Sequence, residues 1–331
     1  VNLLRLDAKS KSPASMGNAT IRRIANEMSR LNSVEDTMSA SATESALIVN
    51  LYMSDLLTAF NEARYSNTLP DIDDPEYITR EAWANVKKTW SSGPFFCPED
   101  VVVLPVDQSP VYPDEFEVRH VPIRFLANGA EDSWRNYQEG TVRIGKDGKI
   151  TYFALSLDAE NYAQIMADAQ NVTELDQYSL ILDYLERFRN AYCLKDINFL
   201  EQVYSDDALI ITGNVIKTKE SKIKVTYKKY SKTQYISHLR DVFAKNEKIN
   251  VTFDSISVKR HPAIDGLYGV QLFQGYTSTR YSDEGYLFLL WDFRNPEQPQ
   301  IHIRTWQDAR IWADNPDEER YDIDSFDIND F

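Results

Sequence analysis

The chain has 331 residues, 43% hydrophobic and 26% charged, a balance that excludes a disordered polypeptide and gives enough length for two ordinary cores. Its formal net charge of −15 argues against a general nucleic-acid binder, because a phosphate backbone requires a large basic footprint. No apolar run approaches the ~20 residues of a membrane-spanning helix, and two cysteines, Cys97 and Cys193, make no disulfide framework.

Residues 1–42, rich in Ser, Ala, Asn and Lys, read as an N-terminal extension with one weakly helical stretch at Ile21–Leu31. The first residue is Val, not Met. A removed export or lipoprotein leader, with a lipid anchor ahead of residue 1, is one explanation; a trimmed fragment is the other. A first α+β domain is expected over 43–169. Its long helix is capped by Thr43 and carries Ile48, Tyr52, Leu56, Phe60 and Ala63 on one stripe. Asn67 and Pro70 end it, and a shorter helix is predicted over Tyr77–Trp90 before the break at Gly93-Pro94.

The period then changes to two, predicting strands at Val101–Val106, Glu117–Leu126, Gly140–Ile144 and Ile150–Leu157. Asp147-Gly148 between the last two supplies the positive φ of a tight hairpin turn. A short helix at Ala159–Ala169 closes this half, and residues 170–174 read as the boundary.

A second domain is expected over 175–310. It opens with an amphipathic helix, Tyr178–Leu194, whose stripe is Ile181, Tyr184, Leu185, Phe188 and Tyr192, and continues through a helical turn carrying Phe199, Leu200 and Val203. Strands follow at Ala208–Lys217 and Lys222–Lys229, then a helix at Thr233–Ala244 capped by Ser231. Four further strands are predicted at Ile249–Arg260, Leu267–Arg280, Gly285–Phe293 and Gln300–Gln307. Residues 311–331 read as a solvated acidic tail. Helix, shorter helix and a run of antiparallel strands thus occur twice, in element order and not in residue identity. The fold class is α+β: two tandem cone-like domains, each a long helix packed in a curved antiparallel sheet.

Leu185–Tyr192, Asp196–Tyr204 and Asp206–Thr212 resemble the nuclear transport factor 2-like superfamily, the SnoaL-like or cystatin-like cones. Tyr281–Phe293 and Ile303–Gln307 are similar to the last strands of uncharacterised exported tandem-domain proteins of Gram-negative anaerobic bacteria. The resemblance implies a cone fold and an exported, cell-envelope location, periplasmic or lipid-anchored. It implies no activity, because that superfamily holds isomerases, dehydratases, cyclases and pure binding modules.

Among sites, Gly140–Asp147 nearly matches a phosphate-binding loop, but Asp147 stands where Ser or Thr would hold magnesium and the intervening residues alternate as a strand. Four isolated histidines and no ligand spacing give no metal site, and no motif calls for a cofactor. Lys222, Lys224, Lys228 and Lys229 form a basic patch that either docks an anionic partner or guards a sheet edge against aggregation, the second being favoured.

No nucleophilic motif occurs. The last strand places His302, Arg304 and Trp306 on one face and Ile301, Ile303 and Thr305 on the other. If the polar set faces inward beside Tyr276 and Trp291, the cone holds an aromatic-walled pocket with an acid/base and a cation; if outward, these are surface pairs. The aliphatic set is the more natural core. The resulting expectation is a non-catalytic envelope module that binds a small molecule or a protein. The alternative is a small-molecule isomerase, dehydratase or hydrolase using the C-terminal cone.

Overall fold

The computed structural model describes residues 2–7, 39–66, 68–109, 111–126, 137–157, 159–167, 172–217, 223–279, 281–310 and 321–325. The chain divides into two compact units, Val1–Ala159 and Glu160–Phe331. Each contains a six-stranded sheet and helices, an α+β architecture.

In the first unit β1 (Asn2–Asp7) precedes α1 (Ser39–Ser66) and α2 (Arg80–Ser92). β2 (Phe95–Phe96), β3 (Val101–Gln108), β4 (Glu115–Phe125), β5 (Tyr137–Gly145) and β6 (Ile150–Ser156) follow, and the sheet runs β1-β3-β4-β5-β6 with β2 beside β4. The N-terminal extension is therefore corrected at its start. Asn2–Asp7 pair antiparallel with β3, Leu6 opposite Val102, and Leu6 is fully buried. The sequence signal is the Leu4-Arg5-Leu6 alternation, short and set ahead of a Ser- and Lys-rich stretch.

The α1 stripe that enters the core is Val49, Met53, Leu56, Leu57, Phe60 and Ala63. Ile48 and Tyr52 flank it, half-buried, and Tyr52 stacks on Tyr77. Phe60 meets Phe95 at 4.7 Å and Phe153 at 5.5 Å between ring centroids, an aromatic knot joining helix to sheet. Buried Asn61 accepts the Cys97 backbone N–H at 2.8 Å, so the helix also covers a strand end. α2 starts at Arg80, later than Tyr77, because Thr79 caps it by accepting from Ala82 N while Ile78 bridges to Ile150. Gly148 takes φ 88° in the β5–β6 turn, as the hairpin requires. The phosphate-loop look-alike lies in β5 and this turn, with no helix following it directly.

The second unit comprises α3 (Ala159–Ala167), α4 (Val172–Cys193), α5 (Ile197–Val203), β7 (Tyr204–Lys217), β8 (Ile223–Tyr230), α6 (Lys232–Lys245), β9 (Ile249–Arg260), β10 (Leu267–Ser278), β11 (Ser282–Asp292) and β12 (Gln300–Asp308). α3 was expected to close the first domain, yet Asn161 reaches Asp254 of β9 at 3.4 Å, and all but its first residue falls in the second unit. The sheet order is β8-β7-β12-β11-β10-β9, antiparallel except where β12 lies parallel to β7. The register of β9 on β10 shifts between Gln271 and Phe273, and that of β12 on β11 between Leu290 and Trp291. Such extra residues bend strands and increase their twist, curling the sheet around its helix. Ser255 absorbs the first bulge with φ 52°, as His120 does with φ 61° in β4.

α4 lies in that hollow, against β9. Ile181, Leu182, Leu185, Phe188 and Tyr192 are buried, and Phe188 faces Phe253 and Trp291. α6 begins with a full capping box, Ser231 with Gln234. On the opposite sheet face, Phe288, Leu290 and Ile303 form a small cluster with Ile323, which is 7% exposed. The Tyr321 backbone donates to Gln307 and accepts from Gln271, so 321–325 strap the sheet instead of trailing in solvent. The remaining tail positions, 311–320 and 326–331, lie outside the described residues.

Candidate functional site

The register fixes which side chains share the helix-facing side of the second sheet. Asp283 pairs with Tyr276, Leu287 with Trp306, Leu289 with Arg304 and Trp291 with Ile301. Arg304, Trp306, Trp291 and Tyr276 therefore share one face, and the first three are buried. Tyr276 is half-buried, and burial pushes its phenol up to about 12.

His302 does not join them. The bulge opposite Leu290 and Trp291 takes it out of the alternation, and its ring lies 3.2 Å from Asp292 and 3.8 Å from Asp207. The expectation that the aliphatic residues alone form the core is also revised, since both faces of β12 are covered. Ile303 packs under the C-terminal strap while Arg304 and Trp306 point toward the helices. Room for the Trp306 indole comes from the neighbouring strands. A Cβ at Gly213 would come within 2.2 Å of the ring and one at Gly285 within 2.7 Å.

Three residues complete the site. Tyr192 of α4, Tyr204 of β7 and Tyr235 of α6 are buried, and the Tyr192 hydroxyl bonds those of Tyr204 at 3.0 Å and Tyr235 at 2.8 Å. The Arg304 guanidinium carbon sits 5.5 Å from the Tyr235 ring centre and within hydrogen-bonding reach of the Tyr192 phenol. Burial drives the Tyr192 and Tyr204 phenols well above their usual value, so both stay protonated. Arg304 is desolvated too, yet the surrounding phenol oxygens keep its proton bound, and a guanidinium does not titrate near neutrality.

Arg304 is 6% exposed, and no carboxylate of the described residues lies within 4 Å of it. Its Nε and Nη1 have no acceptor, and neither do the indole N–H groups of Trp291 and Trp306. Asp283, at the Tyr276 position, is half-buried with Oδ1 unpartnered; burial raises its pKa against the opposing pull of Tyr281 and Arg304. The face thus offers a fixed cation, two orphan indole donors, neutral phenols and a carboxyl that holds its proton above the usual range.

Three of the four lysines of the basic patch lie on one strand. β8 is the sheet's edge strand, Lys228 and Lys229 are exposed on it, and the Lys228 ammonium lies 4.8 Å from the Tyr230 ring. Lys224 belongs to β8, whereas Lys222 lies outside the described residues. Among the described residues no group of three or more His, Cys, Asp or Glu could hold a metal, both cysteines are free, and no helix is long and apolar enough to cross a membrane. Sequence reading missed Tyr204, Tyr235 and Asp283. Their spacings of 31 and 48 positions leave no local motif; the one hint was an abundance of tyrosine, 19 in all.

Fold and site together define an α+β protein whose second unit curls a mixed sheet around a helix and buries a cation in the hollow. Solved structures similar to the chain include an NTF2-like protein from Cytophaga hutchinsonii, 14% identical over 40% of this chain and 98% of that one, with a TM-score of 0.31. Bd1075 of Bdellovibrio bacteriovorus is 12% identical over 62% and 91%, TM-score 0.33, and Aln2 of a Streptomyces species is 11% identical over 42% and 95%, TM-score 0.31. No family model and no curated protein matches the chain.

Proposed function

We propose that the second unit is a ligand-binding cone that takes a small organic molecule between α4 and the concave face of β10–β12. The observation that carries this reading is Arg304, a buried guanidinium with no carboxylate of the described residues within 4 Å, among tyrosine and tryptophan side chains. A buried charge without a partner is costly, and a protein that keeps one gains when a ligand supplies the partner. The test is a screen of small acids, amides and alcohols by unfolding midpoint, followed by hydrogen exchange on each hit. Slowed exchange in α4, β11 and β12 supports the cone. Hits that protect only α1 and β3–β6, or no hit at all, reject it.

Asp283 favours a second reading, in which the same cone performs proton transfer as an isomerase, dehydratase or hydrolase. A carboxyl whose pKa burial raises, beside a cation, is the kind of group that serves as a general acid or base. Asp283→Asn then retains binding of a hit while abolishing its conversion; hits recovered unchanged from the native protein reject catalysis. The envelope location implied by the sequence resemblance belongs to this proposal as well, and fractionation of the source cell tests it.

A further inference from the structure

We infer that the ligand of this cone is an aromatic or similarly planar monocarboxylate, its carboxylate held by Arg304 and its ring by Phe188, Tyr235 and Trp291. This rests on the cone being a ligand site, and it adds the ligand's charge, hydrogen-bonding character and shape.

Three observations carry it. The first is the sign of what is unsatisfied: Nε and Nη1 of Arg304 and Nε1 of Trp291 and of Trp306, all N–H donors on one sheet face. A donor-only set matches an acceptor-only group such as an ionised carboxylate. Among the described residues, the one orphan acceptor on this sheet face is Asp283 Oδ1.

The second observation is charge. Arg304 has no acidic residue within 4 Å among the described residues, and the phenols of Tyr192 and Tyr204 stay neutral. One anionic charge balances the site, and a planar guanidinium matches a carboxylate in shape. A phosphate dianion carries one negative charge more than Arg304 balances.

The third observation is the walls. Phe188 lies edge-on to Trp291 at 6.1 Å, and Tyr204 edge-on to Tyr235 at 5.6 Å. These rings pack on one another at the depth of the guanidinium, so a planar ring seated beside Arg304 would meet aromatic faces and edges.

The experiment compares benzoate, its neutral amide benzamide and inorganic phosphate on the full chain, reading tryptophan fluorescence and unfolding midpoint, with Arg304→Met as the control variant. The expected result is a benzoate response at least about tenfold tighter than that of benzamide, no phosphate response, and loss of the benzoate preference in R304M. The ligand-free variant should unfold no lower than the native protein, because methionine removes an uncompensated charge at similar volume. Equal response to benzoate and benzamide overturns the carboxylate and leaves the cone standing. A response to phosphate and not to benzoate overturns the organic acid in favour of an inorganic anion. No response to any of the three overturns the inference. If in addition R304M unfolds well below the native protein, Arg304 is a structural group and the cone reading falls with it.

Discussion

Each unit buries an arginine on a sheet, and the two are treated in opposite ways. Arg143 of β5 is 3% exposed; its Nε lies 3.5 Å from Glu117, an ionic contact without hydrogen-bond geometry, and its Nη1 lies 4.0 Å from Glu115. Tyr112 and Tyr152 cover it at 4.2 and 3.9 Å, and Arg119 shares Glu117 at 3.2 Å. Arg304 of β12, at nearly the same depth, has phenols and, among the described residues, no carboxylate within 4 Å. Residue type and burial are alike, so what separates them is whether the chain itself provides the counter-charge. Where it does, the group is finished by folding; where it does not, the group is left for something else to finish.

The largest effect that sharpens this contrast is Glu117→Gln. It removes the carboxylate shared by two guanidinium groups, one fully buried, and should destabilise the first unit by about 3–5 kcal/mol in denaturant unfolding. A loss under about 1 kcal/mol, the range of exposed pairs, would erase the distinction drawn between Arg143 and Arg304. Leu185→Ala comes next. Leu185 is fully buried on α4, and its truncation should cost about 2–5 kcal/mol. A cost below about 0.5 kcal/mol, the surface range, would mean that another face of α4 enters the hollow.

The two units also differ in how far the sequence reveals them. Apart from β1 and β2, strand and helix positions were legible in both, because periods of two and four are written locally: Gly148 marks its turn and Ser231 its cap. Strand order was not. β12 enters between β7 and β11, parallel to β7, a pairing about 95 positions apart along the chain that no local period encodes. β1 was missed for the same reason, its partner lying almost 100 positions away. Within the site, alternation puts Arg304 and Trp306 on one face of β12 but does not say which face meets the helices. His302 was misplaced because a bulge breaks alternation without changing composition. The tyrosine trio comes from three separate elements, and only folding brings their hydroxyls together.

Glycines give a smaller pair of effects. A methyl at Gly285 would meet the Gln307 carbonyl oxygen at 2.3 Å and Trp306 at 2.7 Å, and backbone cannot swing aside. Gly285→Ala should therefore cost about 1–3 kcal/mol and perturb near-ultraviolet dichroism from Trp306. Gly148→Ala in the first unit strains a left-handed turn residue and brings a methyl within 3.0 Å of Ile48 and of the Tyr52 ring, and should cost more than about 1 kcal/mol with the Trp306 signal unchanged. Equal spectral changes in both would mean that Trp306 is not held by its glycine neighbours.

The smallest effect is one of pH. An unfolded aspartate titrates near ~3.9, and burial raises the folded Asp283 above that value against the opposing Tyr281 hydrogen bond and Arg304 charge. The folded state thus keeps the proton longer than the unfolded one. The contribution to stability is complete below the unfolded pKa and is lost as pH rises through the folded one. Asp283→Asn cannot titrate, so its stability relative to the native protein should grow from pH 3 to pH 7. Benzoate bound at Arg304 takes up the cation's pull and leaves Asp283 still harder to ionise, so saturating benzoate should widen the difference between the two proteins at pH 7. A difference that ignores benzoate would place Asp283 outside the field of the arginine and restrict the site to β12 and the tyrosines.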